Sequence, residues 1–140
     1  MSGGMKKIMV GYNIYSTTDD VIRVAKQRAQ ETSAELLLVS SVVGRSLDAS
    51  GTLADMDARN RLHSIEASLA ADHVPHKVHL IVRGSNAAED LVRFARENDV
   101  AEIVVGFVPR PRIGEMIFGS NHRRFVATAP CPVVTVHNGW

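Results

Sequence analysis

The fold is decided by the stretch EIVVGFVPRPRIGEMIFGS, residues 102–120. It opens with apolar, mostly β-branched residues, which predict a buried strand, and it closes at Gly119 and Ser120, where a helix is predicted to begin. Open α/β sheets bind phosphate between the carboxyl end of a strand and the amino end of a helix, because backbone N–H groups and the helix dipole converge there on an anion. Pro109 has no N–H at a position where a phosphate-binding loop favours glycine. The stretch therefore predicts a nucleotide site that lacks one of its donors.

Strands and helices alternate along the rest of the chain. Strands are predicted at residues 5–13, 36–43, 77–83, 102–106 and 133–137; the alternating residues 77–83 predict a strand with one partly exposed face. Helices are predicted to begin near Thr17 or Thr18, at Thr52, at Asn86 and near Ser120. This alternation is typical of parallel βαβ units with right-handed crossovers, so we expect a single-domain α/β fold with a five-stranded parallel open sheet and two helices on each face. Ligands should then bind beyond the carboxyl ends of the first and fourth strands.

The predicted helices carry mostly apolar stripes at helical spacing. These stripes should face the sheet, since residues three and four positions apart share one side of a helix. Their members are Val21, Val24, Ala25, Arg28 and Ala29, then Ala58, Leu62, Ile65 and Leu69, then Ala88, Leu91, Val92 and Ala95.

Composition limits the classes of function. The chain has 140 residues, is 45% hydrophobic and carries a net charge of +1, which is typical of one soluble globular domain without a field that recruits nucleic acid or a membrane surface. Its apolar runs are far shorter than the roughly 20 residues of a membrane span, and its short, small and polar first residues predict no signal peptide. The single Cys131 can form no internal disulfide, which favours a reducing compartment. We expect a cytoplasmic domain at residues 5–140 after a flexible extension at residues 1–4, with no nucleic-acid or membrane partner.

The order of elements and the spacing of the opening stretch resemble the universal stress protein (UspA-like) family. Nucleotide-binding members of that family carry G-x2-G-x9-G-(S/T), and here Gly106, Pro109 and Gly119-Ser120 follow the same spacing with proline at the middle glycine. Three further segments are similar: AELLLV at residues 34–39, EIVVG at 102–106 and APCPVVTV at 129–136. The resemblance extends over residues 7–137.

The resemblance implies a cytoplasmic stress-response protein with an adenine nucleotide alpha hydrolase-like, Rossmann-like domain that is often a homodimer. Some members bind ATP or AMP and others bind neither. By position in the family, the adenine would lie near Gly11, Tyr12 and Asn13 and the backbone of Ser41. The ribose and phosphates would lie along residues 106–110, which include Gly106 and Arg110, and at Gly119, Ser120 and Asn121.

Two residues depart from the family pattern. Asn13 replaces the usual aspartate at the end of the first strand, although its amide can still donate and accept hydrogen bonds. Pro109 removes one backbone donor, and a hydrogen bond to a charged group contributes about 1.5–3 kcal/mol, equivalent to roughly one to two orders of magnitude in affinity.

Four arginines favour an anion in the same region. Arg110 and Arg112 belong to the predicted loop, and Arg123 and Arg124 are expected in the first turn of the last helix. Cations near a helix amino terminus are disfavoured by about 0.3–1 kcal/mol each, a cost that a bound phosphate would offset. The alternative is that these long side chains point into solvent.

Two functions remain open after the residues are weighed. The first is a stress-response regulator with a modified, weak or conditional ATP/AMP site, and the second is a dimeric interaction module that binds no nucleotide. The fifth strand should lie at a sheet edge, where unpaired backbone groups favour a homodimer.

No general base or metal-ligand set accompanies the loop, so at most slow nucleotide hydrolysis is expected, with no catalytic residue and no metal site. The side chains of His73, His76 and His79 should diverge, and Cys131 should be a buried residue and not a nucleophile.

Overall fold

The structure, a computed structural model, describes residues 5–11, 19–42, 53–82, 87–107 and 119–137. Strands and helices alternate strictly through these residues. The strands are β1 (Lys7–Gly11), β2 (Glu35–Val42), β3 (His76–Val82), β4 (Glu102–Phe107) and β5 (Val133–His137). The helices are α1 (Asp19–Thr32), α2 (Leu53–Ala71), α3 (Ala87–Glu97) and α4 (Gly119–Thr128).

The five strands form one parallel sheet in the order β3-β2-β1-β4-β5. This arrangement confirms the predicted α/β fold with its five-stranded parallel open sheet. The strand order reverses between β1 and β4, because the chain adds strands on one side of β1 and then on the other. An open α/β sheet binds ligands at such a switch point, which here lies between the first and fourth strands as expected.

Helices cover both faces of the sheet, as the interior strand β2 shows. Residues 36–40 of β2 are all buried, with alternate side chains in two separate apolar clusters. One cluster joins Leu36 and Leu38 to α1 and α2, and the other joins Leu37 and Val39 to α3 and α4. The predicted stripes of α1 and α3 are confirmed as buried or partly buried, as are the described residues of the α2 stripe; the side chain of Ala58 lies outside the described residues.

Strand boundaries differ from the sequence expectations by one or two residues. β1 begins at Lys7 and not at residue 5, because pairing starts where Lys7 meets Glu35 of β2. The predicted end of that strand, residues 12 and 13, lies outside the described residues. β4 runs one residue further than expected, to Phe107, because that residue still pairs with His137 of β5.

The helices α1, α2 and α3 end in the same way. In each, the first or second residue beyond the helix adopts a left-handed conformation without being glycine; these residues are Ser33 (φ 54°), His73 (φ 58°) and Asp99 (φ 51°). The next N–H donates to the carbonyl five residues earlier, in the pairs Ala34–Ala29 (2.9 Å), Val74–Leu69 (2.9 Å) and Val100–Ala95 (3.1 Å). Both members of each pair are buried, which completes the apolar contact of a Schellman cap. The three chain reversals at the amino edge of the sheet are therefore fixed without glycine.

An ion pair ties α1 to the sheet at the same edge. The guanidinium of Arg28 donates twice to the carboxylate of Glu102, with Nη2 and Oε2 2.6 Å apart. This hydrogen bond raises the pKa of Arg28, so the guanidinium stays charged at all ordinary pH values. The contact fixes the helix that follows β1 to the start of β4.

The imidazole of His79 lies on the opposite side of β3 from α2. Its ring packs on Phe94 of α3, with ring centroids 4.8 Å apart. Burial lowers the pKa of His79, the nearby Lys77 lowers it further, and Glu35 opposes both. The folded protein thus favours the neutral ring.

We expect His79 to make the protein less stable as the pH falls from 8 to 5. The unfolded chain takes up a proton near the ordinary pKa of about 6.5, whereas the folded chain does so only at lower pH. The unfolded state therefore binds more protons below that value, and stability falls through this window. The melting temperature of His79→Gln should decline less with acidification than that of the wild type, while His63→Gln, at an exposed site on α2, should follow the wild type. Parallel curves for all three proteins would contradict this assignment.

Candidate functional site

The candidate site lies at the carboxyl edge of the sheet, where β1 and β4 are neighbours. Gly11, the last residue of β1, pairs with Val105, so Gly106 comes directly after the residue opposite Gly11. α4 begins at Gly119, the third glycine position of the spacing motif. A helix amino terminus therefore follows the segment that leaves β4, which is the arrangement that binds phosphate in open α/β sheets.

The structure positions some of the expected site residues and not others. Gly11 and Gly106 lie in β1 and β4, and Ser41 lies near the carboxyl end of β2, where it pairs with Ile81. Ser120 and Asn121 belong to the first turn of α4, and their side chains lie outside the described residues. Tyr12, Asn13, Pro109 and Arg110 also lie outside the described residues, as does Arg112. The roles expected for all these residues stay predictions.

Gly11 has a packing role of its own. A Cβ atom at this position would lie 2.9 Å from Cδ1 of Leu91 and 3.4 Å from Cγ1 of Val105. Leu91 is fully buried in α3, so its side chain has little room to move away. The close approach of α3 to the end of β1 therefore depends on glycine at this position.

Gly11→Ala is expected to lower the free energy of unfolding by about 1–3 kcal/mol, because it overpacks a filled region. Leu91→Ala should cost about 2–5 kcal/mol through the cavity that it leaves. The double variant should cost less than the sum of the two, since the added methyl group occupies part of that cavity. Urea unfolding of the wild type and the three variants measures the coupling. Strict additivity would show that the two side chains do not compete for space.

The arginines of the last helix differ from the sequence expectation. Because α4 begins at Gly119, Arg123 and Arg124 lie in its second turn and not in its first. Both side chains are exposed, and Arg124 borders a groove shared with α3. The first turn of α4 is therefore free of these two cations.

Two buried polar residues near this edge were not foreseen. Asp90, in the first turn of α3, is 3% exposed, and Ser40 of β2 is 1% exposed. Asp90 is engaged in an interaction within the structure, and its place in the first turn suits the helix dipole. The burial of Asp90 could not be predicted from its neighbours Leu91 and Val92, because an acidic residue near a helix amino terminus is equally typical of an exposed position.

Among the residues that the structure describes, the other reactive side chains form no catalytic arrangement. Burial, and to a lesser degree Glu102, raises the pKa of the half-buried Cys131, which keeps it a thiol at neutral pH. His76 lies 3.8 Å from a carboxylate oxygen of Glu66 on α2, whereas His79 packs against α3, so these two imidazoles diverge as expected. Within the described ranges no cluster of three or more His, Cys, Asp or Glu side chains could hold a metal ion. Among the same residues, no helix combines the length and the apolar character that crossing a membrane requires.

Comparison with known proteins gives one family. The sequence matches the model of the Universal stress protein family over residues 4–137. A relative from Mycolicibacterium smegmatis, described as a universal stress protein, is 26% identical over 133 residues, which cover 92% of this chain and 95% of the relative.

Solved structures give the same result. A universal stress protein from Archaeoglobus fulgidus is 26% identical and superposes with a TM-score of 0.68, covering 95% of this chain and 94% of the other. A universal stress protein from the same organism, solved in complex with dAMP, is 25% identical with a TM-score of 0.67, covering 94% of this chain and 97% of the other.

Proposed function

The chain belongs to the universal stress protein family, and on that basis we propose that it is a cytoplasmic stress-response regulator that binds ATP or AMP in a modified, low-affinity site. The observation that carries the proposal is the adjacency of Gly11 and Gly106 at the switch point of the sheet, with α4 beginning at Gly119. An anion beside the amino terminus of α4 would interact favourably with free backbone N–H groups and the helix dipole.

The complex of a similar protein with dAMP supports an adenine nucleotide as the ligand. The adenine would contact the chain at Gly11, Tyr12, Asn13 and Ser41, and the phosphates would contact Gly106, Arg110, Gly119, Ser120 and Asn121. Low affinity follows from Pro109, which cannot donate a backbone hydrogen bond.

The proposal is tested by thermal unfolding with increasing ATP or AMP. A ligand at about ten times its dissociation constant stabilises the folded state by about 1.4 kcal/mol, which raises the melting temperature by roughly 3–6 °C for a domain of this size. Gly119→Ala and Arg110→Ala should reduce the shift. Arg96→Ala, in the last turn of α3 at the far edge of the sheet, is the matched control and should retain it. The absence of any shift at millimolar nucleotide would rule the proposal out.

A second candidate function is a dimeric interaction module that binds no nucleotide, and Pro109 and Asn13 favour it. Its surface would be β5, which lies at an edge of the sheet with β4 as its neighbour. Half-buried valines occupy this edge, and an uncovered apolar edge strand favours pairing with a second chain. The dimer is compatible with either function.

We expect the protein to sediment with the mass of two chains and Val136→Lys on β5 to shift it to the monomer. A lysine on an edge strand opposes pairing because its charge would have to be desolvated. Leu80→Lys is the matched control, since Leu80 is 39% exposed on β3 at the opposite edge, and this variant should stay dimeric. A monomeric wild type, or equal dissociation by both lysines, would contradict pairing through β5.

A further inference from the structure

A groove separates α3 and α4 on one face of the sheet. It has a volume of about 460 Å³. Its floor contains Val92 and Phe125, which are 7% and 1% exposed. Exposed side chains of both helices form its rim, so an occupant could contact apolar atoms below and charged groups at the sides.

The rim is strongly cationic. Arg93 and Arg96 of α3 share one helix face, and Arg124 of α4 also lines the groove, whereas Glu89 is the one acidic residue of the lining. Within the described ranges none of these three arginines makes a salt bridge, although other arginines of the chain pair with acids. Three unpaired guanidinium groups repel one another, and carboxylates among them would remove that repulsion.

The groove extends away from the candidate nucleotide site. α3 and α4 both begin at the carboxyl edge of the sheet and run back toward its amino edge. Ala88 and Glu89 line the groove in the first turn of α3, whereas Arg96 and Thr128 lie in the last turns of the two helices, at the end away from Gly11 and Gly106. Occupation of the groove therefore does not require a nucleotide.

We propose that this groove docks an acidic segment of a partner protein. The segment places an apolar side chain over Val92 and Phe125 and its carboxylates against the three arginines. Guanidinium groups suit this task because their fork of N–H donors matches a carboxylate. The chemistry favours an acidic peptide over nucleic acid, because the floor is apolar and the net charge of the chain is only +1.

The test uses a fluorescein-labelled helical peptide of about twelve residues, with leucines on one face and glutamates on the other. Fluorescence anisotropy should show saturable binding to the full chain that weakens as salt is raised. Arg96→Gln and Arg124→Gln should each weaken binding about fivefold, and the double variant about twentyfold. Arg123→Gln is the matched control, because Arg123 is exposed beside Arg124 but does not line the groove, and it should bind as the wild type does.

Two control peptides separate the parts of the proposal. Replacing leucine by serine should weaken binding because the apolar floor is then left uncovered, and replacing glutamate by glutamine should abolish it. Equal binding of the serine peptide, or an equal loss with Arg123→Gln, would overturn the proposal, as would no binding at about 1 mM wild-type protein. Tighter binding of single-stranded DNA of the same charge would assign the groove to nucleic acid instead. Self-association that Arg124→Gln abolishes would assign it to a second copy of the chain.

Discussion

Phe125→Ala is expected to lower the free energy of unfolding by about 3–5 kcal/mol. Phe125 is 1% exposed and belongs to the cluster that includes Leu91 and Val105. Among residues 123–128 of α4 it is the one buried side chain, so within this part of the helix it supplies the apolar contact with the core beneath. A domain is usually stable by about 5–15 kcal/mol, and the loss would be a large part of that.

The neighbouring Val126 provides the matched control for this substitution. Its side chain is 45% exposed on the same helix, so Val126→Ala should change stability by no more than about 0.5 kcal/mol. Urea unfolding followed by circular dichroism measures both variants. Similar losses for the two would show that α4 is held by its backbone position and not by Phe125. Because Gly119 and Ser120 open α4, Phe125→Ala should also weaken any nucleotide binding near that helix.

Pro109→Gly is expected to raise the affinity for ATP by about tenfold to a hundredfold. Glycine restores a backbone N–H at the middle position of the family motif, and a hydrogen bond to a charged phosphate contributes about 1.5–3 kcal/mol. Isothermal titration calorimetry of the wild type and the variant gives both dissociation constants.

Pro111→Gly separates the restored donor from a general loosening of the segment. Both substitutions remove a proline from the same stretch, but residue 111 is not a glycine position of the motif. Pro111→Gly should therefore leave the affinity close to that of the wild type. Binding by the Pro109→Gly variant alone, with none by the wild type, would favour the interaction module. A wild type that already binds would favour the nucleotide-binding regulator, and failure of both proteins to bind would exclude a nucleotide role.

Most of the fold could be predicted because its local patterns agree with its long-range order. The mostly apolar residues 36–43 predicted a strand covered on both faces, and residues 36–39 lie in a strand that contacts both helical layers. The alternating residues 77–83 predicted a partly exposed strand, and β3 is an edge strand in which Leu80 is 39% exposed. A continuous apolar run indicates a strand buried on both faces, and an alternating pattern indicates a strand buried on one face.

The candidate site was less predictable from the same sequence. Its location followed from the strand order, since a sheet that reverses between β1 and β4 opens a crevice at their carboxyl ends. The packing of Leu91 against Gly11 could not be foreseen, because these residues are far apart in the chain and meet only when α3 lies on β1. The groove beside Arg124 escaped prediction for a similar reason. Two separate helices build it, and each of its arginines alone is typical of an exposed helix face.

The repeated helix caps make the connections at the amino edge of the sheet short and alike, whereas those at the carboxyl edge could be replaced. α1, α2 and α3 each return to the amino edge, end in the same cap and enter a strand within a few residues, at Glu35, His76 and Glu102. The connections that leave β1, β2 and β4 at the opposite edge are longer. For protein engineering, this means that the carboxyl-edge segments could be exchanged for those of a relative while every chain reversal that sets the strand order is retained. Ligand preference could then be redesigned without changing the sheet.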